Sequence, residues 1–241
     1  MQRTILTYNS LVELESAAAA EITRTIETAI RERQVCHCAL SGGRSPQGVY
    51  RMLGSDPLKQ RIDWKKVHIY FGDERCVPPS DPESNFGMAH SSLLSHVPVP
   101  KENIHRIHGE MQPGEAAALY ARELATYLPN LTFDLTLLGI GDDGHTASLF
   151  PGTDIIDETT QPVGAVFVPK LKAWRVSLTL PVINRSRSIL FIVSGKSKAA
   201  VMQRLRKTPA SSKEIPASLV RADAGGLLQF MCEAETLDAA S

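Results

Sequence analysis

Apolar residues in the first part of the chain recur at intervals of three and four. Leu11, Leu14, Ala18, Ile22, Ile26, Ala29 and Ile30 share one side of a helical projection, which predicts an amphipathic helix over residues 11–33 with its charges mostly opposite. A short apolar run, 35–40, reads as a buried strand and leads into Ser41-Gly-Gly-Arg-Ser-Pro46. Pro46 predicts the start of the next helix, because its missing N–H falls where a helix has no acceptor for it. The same rhythm returns at Val67–Phe71, a predicted strand ending in Gly72-Asp-Glu-Arg75. A Pro-rich loop over 77–82 follows, with a helix predicted from Ser84 or Asn85. Further along, the pattern predicts a helix over Pro113–Tyr127 and a buried strand over 133–138 that ends in a glycine-rich turn at 139–144. Strands at Val163–Val168, 176–180, Ser188–Val193 and 227–232 complete the reading, with a helix over 197–205.

Strands that alternate with helices imply an α/β fold: an open, mainly parallel sheet with helices on both faces. No internal repeat, low-complexity tract or long linker divides the chain, so residues 1–241 are read as one domain. In such sheets ligands bind beyond the carboxyl ends of the strands. The turns at Ser41, Gly72 and Gly139 all leave predicted strands at that edge.

Composition narrows the partners. Lys and Arg number 26, as do Asp and Glu, so the net charge is zero. Nucleic acid is not expected as a partner, since backbone phosphates demand a basic excess. No run of about 18 apolar residues is present to cross a membrane. The start, Met-Gln-Arg-Thr-Ile-Leu, runs into Glu13 and Glu15 and lacks the form of a signal peptide, so a cytoplasmic location is expected. Cys36, Cys38, Cys76 and Cys232 read as reduced thiols, and the seven histidines supply no zinc-type ligand pairs.

Each of the three turns carries chemistry. Ser41, Gly42 and Gly43 form a tight strand-to-helix turn whose backbone N–H groups, with the helix N-terminus, suit a phosphate or a developing oxyanion. The third glycine of a dinucleotide fingerprint is missing. Asp73, Glu74 and Arg75 put two carboxylates and a guanidinium at a strand end. Arg75 can clamp a phosphate in a bidentate manner, and Asp73 can bond a sugar hydroxyl or orient its neighbours. Alone, such a triplet is more often a solvated charge cluster. The turn Gly139-Ile-Gly-Asp-Asp-Gly-His145 is the most informative. Its glycines open space for a ligand, and Asp143 can fix the tautomer of His145. An unperturbed imidazole, with a pKa of about 6.5, keeps a neutral fraction able to act as a base near pH 7.

These segments resemble the successive motifs of the 6-phosphogluconolactonase family. Ser41-Gly-Gly-Arg-Ser-Pro, Gly72-Asp-Glu-Arg-Cys-Val-Pro with Ser84-Asn85, and Gly141-Asp-Asp-Gly-His-Thr-Ala-Ser-Leu-Phe-Pro-Gly152 carry the likeness. Arg175-Val-Ser-Leu-Thr-Leu-Pro-Val-Ile-Asn184, Ser194-Gly-Lys-Ser-Lys-Ala199 and Ile215-Pro-Ala-Ser-Leu219 continue it in the same order, over nearly the whole chain. Arg44-Ser45 departs slightly from the family pattern, at a turn where the backbone matters most. The resemblance implies a modified Rossmann-like fold and hydrolysis of 6-phospho-D-glucono-1,5-lactone to 6-phosphogluconate in the oxidative pentose phosphate pathway, without redox cofactor or catalytic metal.

On that reading neutral His145 activates water, Asp143 orients it, and Ser41, Gly42, Gly43 and Asp73 meet the sugar or the oxyanion. Arg75 and Lys196 hold the 6-phosphate, with Arg175 as a weaker addition. A small sugar phosphate is then the expected partner, for a monomer or at most a weak homodimer. Glucosamine-6-phosphate deaminases share the Asp-Gly-His turn but continue Ile-Ala-Phe-Asn-Glu-Pro. Here Thr-Ala-Ser-Leu-Phe-Pro follows, without that glutamate.

Overall fold

The computed structural model describes residues 4–209, 212–223 and 225–237. The opening strand β1 (Thr4–Tyr8) precedes a long helix α1 (Leu11–Arg33), whose start is set by two short bonds. Ser10 Oγ accepts from Glu13 N at 3.2 Å, while Glu13 Oε2 accepts from Asn9 N at 2.9 Å, a reciprocal cap that satisfies two otherwise unpaired donors. The predicted stripe is the one that packs: Leu14, Ala18, Ile22, Ile26 and Ala29 are all buried. Next come β2 (Cys36–Leu40), α2 (Ser45–Leu53), the single-turn α3 (Leu58–Arg61), β3 (Val67–Phe71), β4 (Asp73–Arg75) and α4 (Asn85–Ala89). The chain continues through α5 (Pro113–Tyr127), β5 (Leu135–Leu138), β6 (Val163–Val168), β7 (Ala173–Leu178), α6 (Leu180–Asn184), β8 (Ser188–Val193), α7 (Ala199–Lys207) and β9 (Leu227–Glu233).

Six strands form a wholly parallel sheet in the order β1-β9-β8-β5-β2-β3. Helices cover both faces. The Cys38 face lies under α2, where Tyr50 is buried. The His37, His68 and Tyr70 face meets α5 through His105, which bonds both His68 and Glu123 at 3.0 Å. After β2 the chain moves one way along the sheet, to β3; after the neighbouring β5 it moves the other way, to β8. Such a reversal opens a crevice beyond the carboxyl ends of the two strands. The Ser41 and Gly139 turns stand on either side of it, close enough that a Cβ on Gly139 would lie 3.9 Å from Ser41 Oγ.

The open parallel sheet with helices on both faces is the one expected, but two of the expected strands lie outside it. The strands expected at Val163–Val168 and 176–180 do not join the parallel sheet. They are β6 and β7 of a separate antiparallel sheet, order β4-β7-β6. The second of them begins earlier, at Ala173, and Leu180 already belongs to α6. Nor does a helix follow the Gly139 turn. Thr146 and Leu149 form an isolated antiparallel bridge instead, with Ala147 at φ 47° between them.

Candidate active site

His145 is built into its turn by a carboxylate and by two flat neighbours. Asp143 Oδ1 accepts from His145 Nδ1 at 2.5 Å and from the His145 backbone N at 3.2 Å. The imidazole stacks on Phe150 with ring centroids 3.9 Å apart, and it lies directly over Gly141. A Cβ on Gly141 would come within 2.0 Å of His145 Cε1, so no larger residue fits beneath the ring in this position. Asp143 is held well below the usual carboxylate range, chiefly by the hydrogen bond from His145, with Lys170 contributing and burial opposing. A carboxylate on Nδ1 leaves Nε2 to exchange a proton with substrate or water. Next to His145, Thr146 Oγ1 is the buried side-chain polar atom without a hydrogen-bond partner among the described residues. Unsatisfied groups and left-handed backbone such as that of Ala147 gather where function, rather than packing, sets the conformation.

The first turn is clamped from below. Tyr50 Oη accepts from Ser41 N at 3.0 Å and donates to Ser41 O at 2.8 Å, which occupies the Ser41 backbone. The N–H groups of Gly42 and Gly43 donate to no protein acceptor among the described residues. They remain available for an anionic oxygen. Gly42 is required for a different reason than reach: a Cβ there would overlap the Asn85 carboxamide at 1.9 Å.

Asn85 was not singled out as a functional residue from sequence, yet it ties the turns together. Its Nδ2 donates to Asp73 O at 2.8 Å and Asp73 Oδ1 at 3.1 Å. Ser148 Oγ donates to Asp73 Oδ2 at 2.6 Å. Asp73 therefore links the second turn to the segment after His145, and Arg75 bonds elsewhere, to the Glu83 carbonyl. Glu74 is buried and caps α4. It accepts from the backbone N–H groups of Arg75 (2.8 Å), Asn85 (2.7 Å) and Phe86 (2.8 Å), and from Ser84 Oγ at 3.0 Å. Burial raises its pKa, against the pull of those N–H groups.

Arg75 and Arg175 face each other as partners across β4 and β7. Directly opposed residues share a face of the sheet, and two like charges there destabilise it. Neither guanidinium has a carboxylate within ion-pair distance among the described residues. Arg175 is buried, and its pKa is lowered first by that burial and then by Arg75, with Asp73 and Glu83 offsetting part. Lys196 is exposed, at the start of the turn after β8. Lys198, which sequence reasoning passed over, is the lysine that reaches the His145 turn, with Nζ 2.7 Å from Asp142 Oδ1. Ser194 Oγ bonds Ser45 Oγ at 2.9 Å, so the β8 turn also touches the first turn. Among the described residues no group of three or more His, Cys, Asp and Glu side chains is placed to hold a metal ion, and no helix is long and apolar enough to cross a membrane.

Fold and site together define an open α/β protein with an imidazole–carboxylate pair in the turn after β5 and two facing guanidinium groups on the smaller sheet. The family model described as glucosamine-6-phosphate isomerases/6-phosphogluconolactonase matches residues 9–229. The chain belongs to this family. It is 40% identical over 189 residues to 6-phosphogluconolactonase from Haemophilus influenzae, covering 78% of this chain and 81% of that one. It is 37% identical over 229 residues to 6-phosphogluconolactonase from Mycobacterium leprae, covering 90% and 91%. The crystal structure of 6-phosphogluconolactonase from Thermotoga maritima superposes with a TM-score of 0.83 at 27% identity, covering 96% of this chain and all of the other.

Proposed function

We propose that this site hydrolyses 6-phospho-D-glucono-1,5-lactone to 6-phosphogluconate, the second step of the oxidative pentose phosphate pathway, with His145 as the general base. The observation that carries the reading is the Asp143–His145 pair, 2.5 Å apart, at the crevice between β2 and β5. Neutral His145 takes a proton from water through Nε2 as the water oxygen attacks C1. The carbonyl oxygen becomes an oxyanion, for which the N–H groups of Gly42 and Gly43, without a protein acceptor among the described residues, are candidates. When the C1–O5 bond breaks, imidazolium returns the proton to the leaving ring oxygen. Asp143 keeps the ring in the required tautomer and stabilises the imidazolium.

The 6-phosphate is assigned to Arg75 and Arg175, whose mutual repulsion a dianion offsets. Lys196 and Lys198 supply further positive charge from the β8 turn. Each chain carries all of these groups, which supports a monomer as the working unit. The four free thiols, Cys36, Cys38, Cys76 and Cys232, fit the reducing cytoplasm.

The test is a lactone-hydrolysis assay corrected for spontaneous opening. His145→Ala is expected to lower kcat by about 10²–10⁴-fold with the fold retained, the range typical of general-base assistance. Full activity in that variant removes His145 from the mechanism. Ammonia release from glucosamine 6-phosphate by the wild type would instead assign the site to deamination.

A further inference from the structure

The hairpin of β6 and β7 reaches the catalytic turn from outside. At its tip, Lys170 places Nζ 3.1 Å from Asp143 Oδ2, the oxygen that His145 does not use. Asp143 thus has one oxygen on the base and one on a cation from a different sheet, 27 residues further along the chain. The strand leading away from that tip, β7, carries Arg175 five residues on. Base and guanidinium clamp are therefore joined by one short, hydrogen-bonded ribbon. Among the described residues few charged groups pair with the His145 turn. Asp143 comes from its own turn and Lys170 from the hairpin, while Asp142 in the same turn is paired with Lys198 from the β8 turn. Phe150, the remaining ring neighbour, is uncharged.

From this geometry we infer that Lys170 is a positioning residue for the reaction: it pins Asp143 Oδ2 so that Oδ1 stays on His145 Nδ1, and it makes the state of the base depend on the seating of the hairpin that carries Arg175. The inference rests on His145 being the base. Two consequences follow from electrostatics. A cation on Oδ2 withdraws part of the carboxylate's charge from the imidazolium, so removing it favours the protonated ring. A freed carboxylate also rotates, which costs turnover more than substrate affinity, because Lys170 itself is assigned no contact with substrate.

Lys170 is largely exposed, so the electrostatic part is modest and screened by salt. In Lys170→Met the acid limb of the kcat/KM–pH profile should move to higher pH by about half a unit at low salt, less at high salt. kcat should fall by about 3–10-fold with KM changed less than twofold, and Lys170→Arg should restore most of both. NMR titration of the His145 imidazole in the same proteins reads the shift without any assay. An unmoved titration midpoint and pH profile in Lys170→Met would overturn the role of Lys170, as would a loss that Lys170→Arg does not rescue. His145→Ala, measured alongside, keeps the two questions separate. If it abolishes turnover while Lys170→Met titrates like wild type, only the Lys170 inference fails; if it retains turnover, the general-base reading fails instead.

Discussion

The imidazole of His145 is held by contacts that tolerate little change. Gly141 is the clearest case, since a methyl group there would occupy the space of Cε1. Gly141→Ala is expected to displace the ring and lower kcat by at least about 10-fold, since misplacement of about 1 Å can cost 100-fold. The thermal midpoint should change little, because the turn lies at the edge of the fold; unchanged kcat in a folded Gly141→Ala protein would contradict this placement of the ring. Asp143 also bears on pH. Its folded pKa is depressed, so its contribution to stability is complete above the unfolded carboxylate value of about 3.9 and is lost as pH falls from there through the lower folded value. Asp143 therefore stays ionised across the working range. The Asp143–His145 pair was legible in sequence because Gly, Asp and His stand within one turn. The roles of Asn85 and Lys198 were not, because their partners Asp73 and Asp142 lie 12 and 56 positions away.

Among the elements, α4 and β4 depend on one carboxylate. Glu74 supplies acceptors to three backbone N–H groups that have no other partner in the short helix and strand. Glu74→Ala should cost about 2–4 kcal/mol, since each buried donor left unsatisfied costs on the order of 1–3 kcal/mol and some will rehydrate. Urea unfolding measures the loss. KM should rise as well, because Asp73 and Arg75 flank the position; a variant with wild-type stability and KM would remove Glu74 from this role. The helix α1 and the strands β6 and β8 are legible with their bounds, because their apolar spacing is long or continuous and their ends carry cap or turn residues. By contrast, β4 has three residues, too few for a period to show. Strand β1 shows no such pattern, its Thr-Ile-Leu-Thr-Tyr half exposed at a sheet edge.

At the scale of the whole molecule, acid stability is expected to depend on a histidine cluster on the α5 side of the parallel sheet. His37, His68 and His105 cluster under α5, with His37 bonded to Tyr70 Oη at 3.2 Å and its ring 5.0 Å from that of His68. Burial, reinforced by the two neighbouring histidines, lowers the pKa of His37 to about 4. A histidine whose folded value lies below its unfolded one of about 6.5 binds its proton first in the unfolded chain. Stability from this group is thus full above about pH 6.5 and declines as pH drops toward 4. The thermal midpoint should fall across that window, and His37→Gln should flatten the fall. A wild-type midpoint that is level from pH 7 to 4.5, or a variant with the same slope, would show that the cluster does not govern acid stability.

What the sequence determined by itself was whatever short-range spacing encodes: the α/β alternation, the helix periods, and three turns whose residue types already contain the histidine–carboxylate pair and the groups proposed to bind an anion. Which sheet a given strand joins, and beside which neighbour, lies beyond such spacing, since the pattern along one strand does not name its partner. Only the folded chain placed β6 and β7 in a second sheet with β4, set Arg75 against Arg175, and brought Ser148 onto Asp73 across 75 positions and Lys170 onto Asp143 across 27. Those contacts arise because crossover connections return distant strand ends to one edge of the sheet, where charge and hydrogen bonding, not sequence proximity, decide which groups meet.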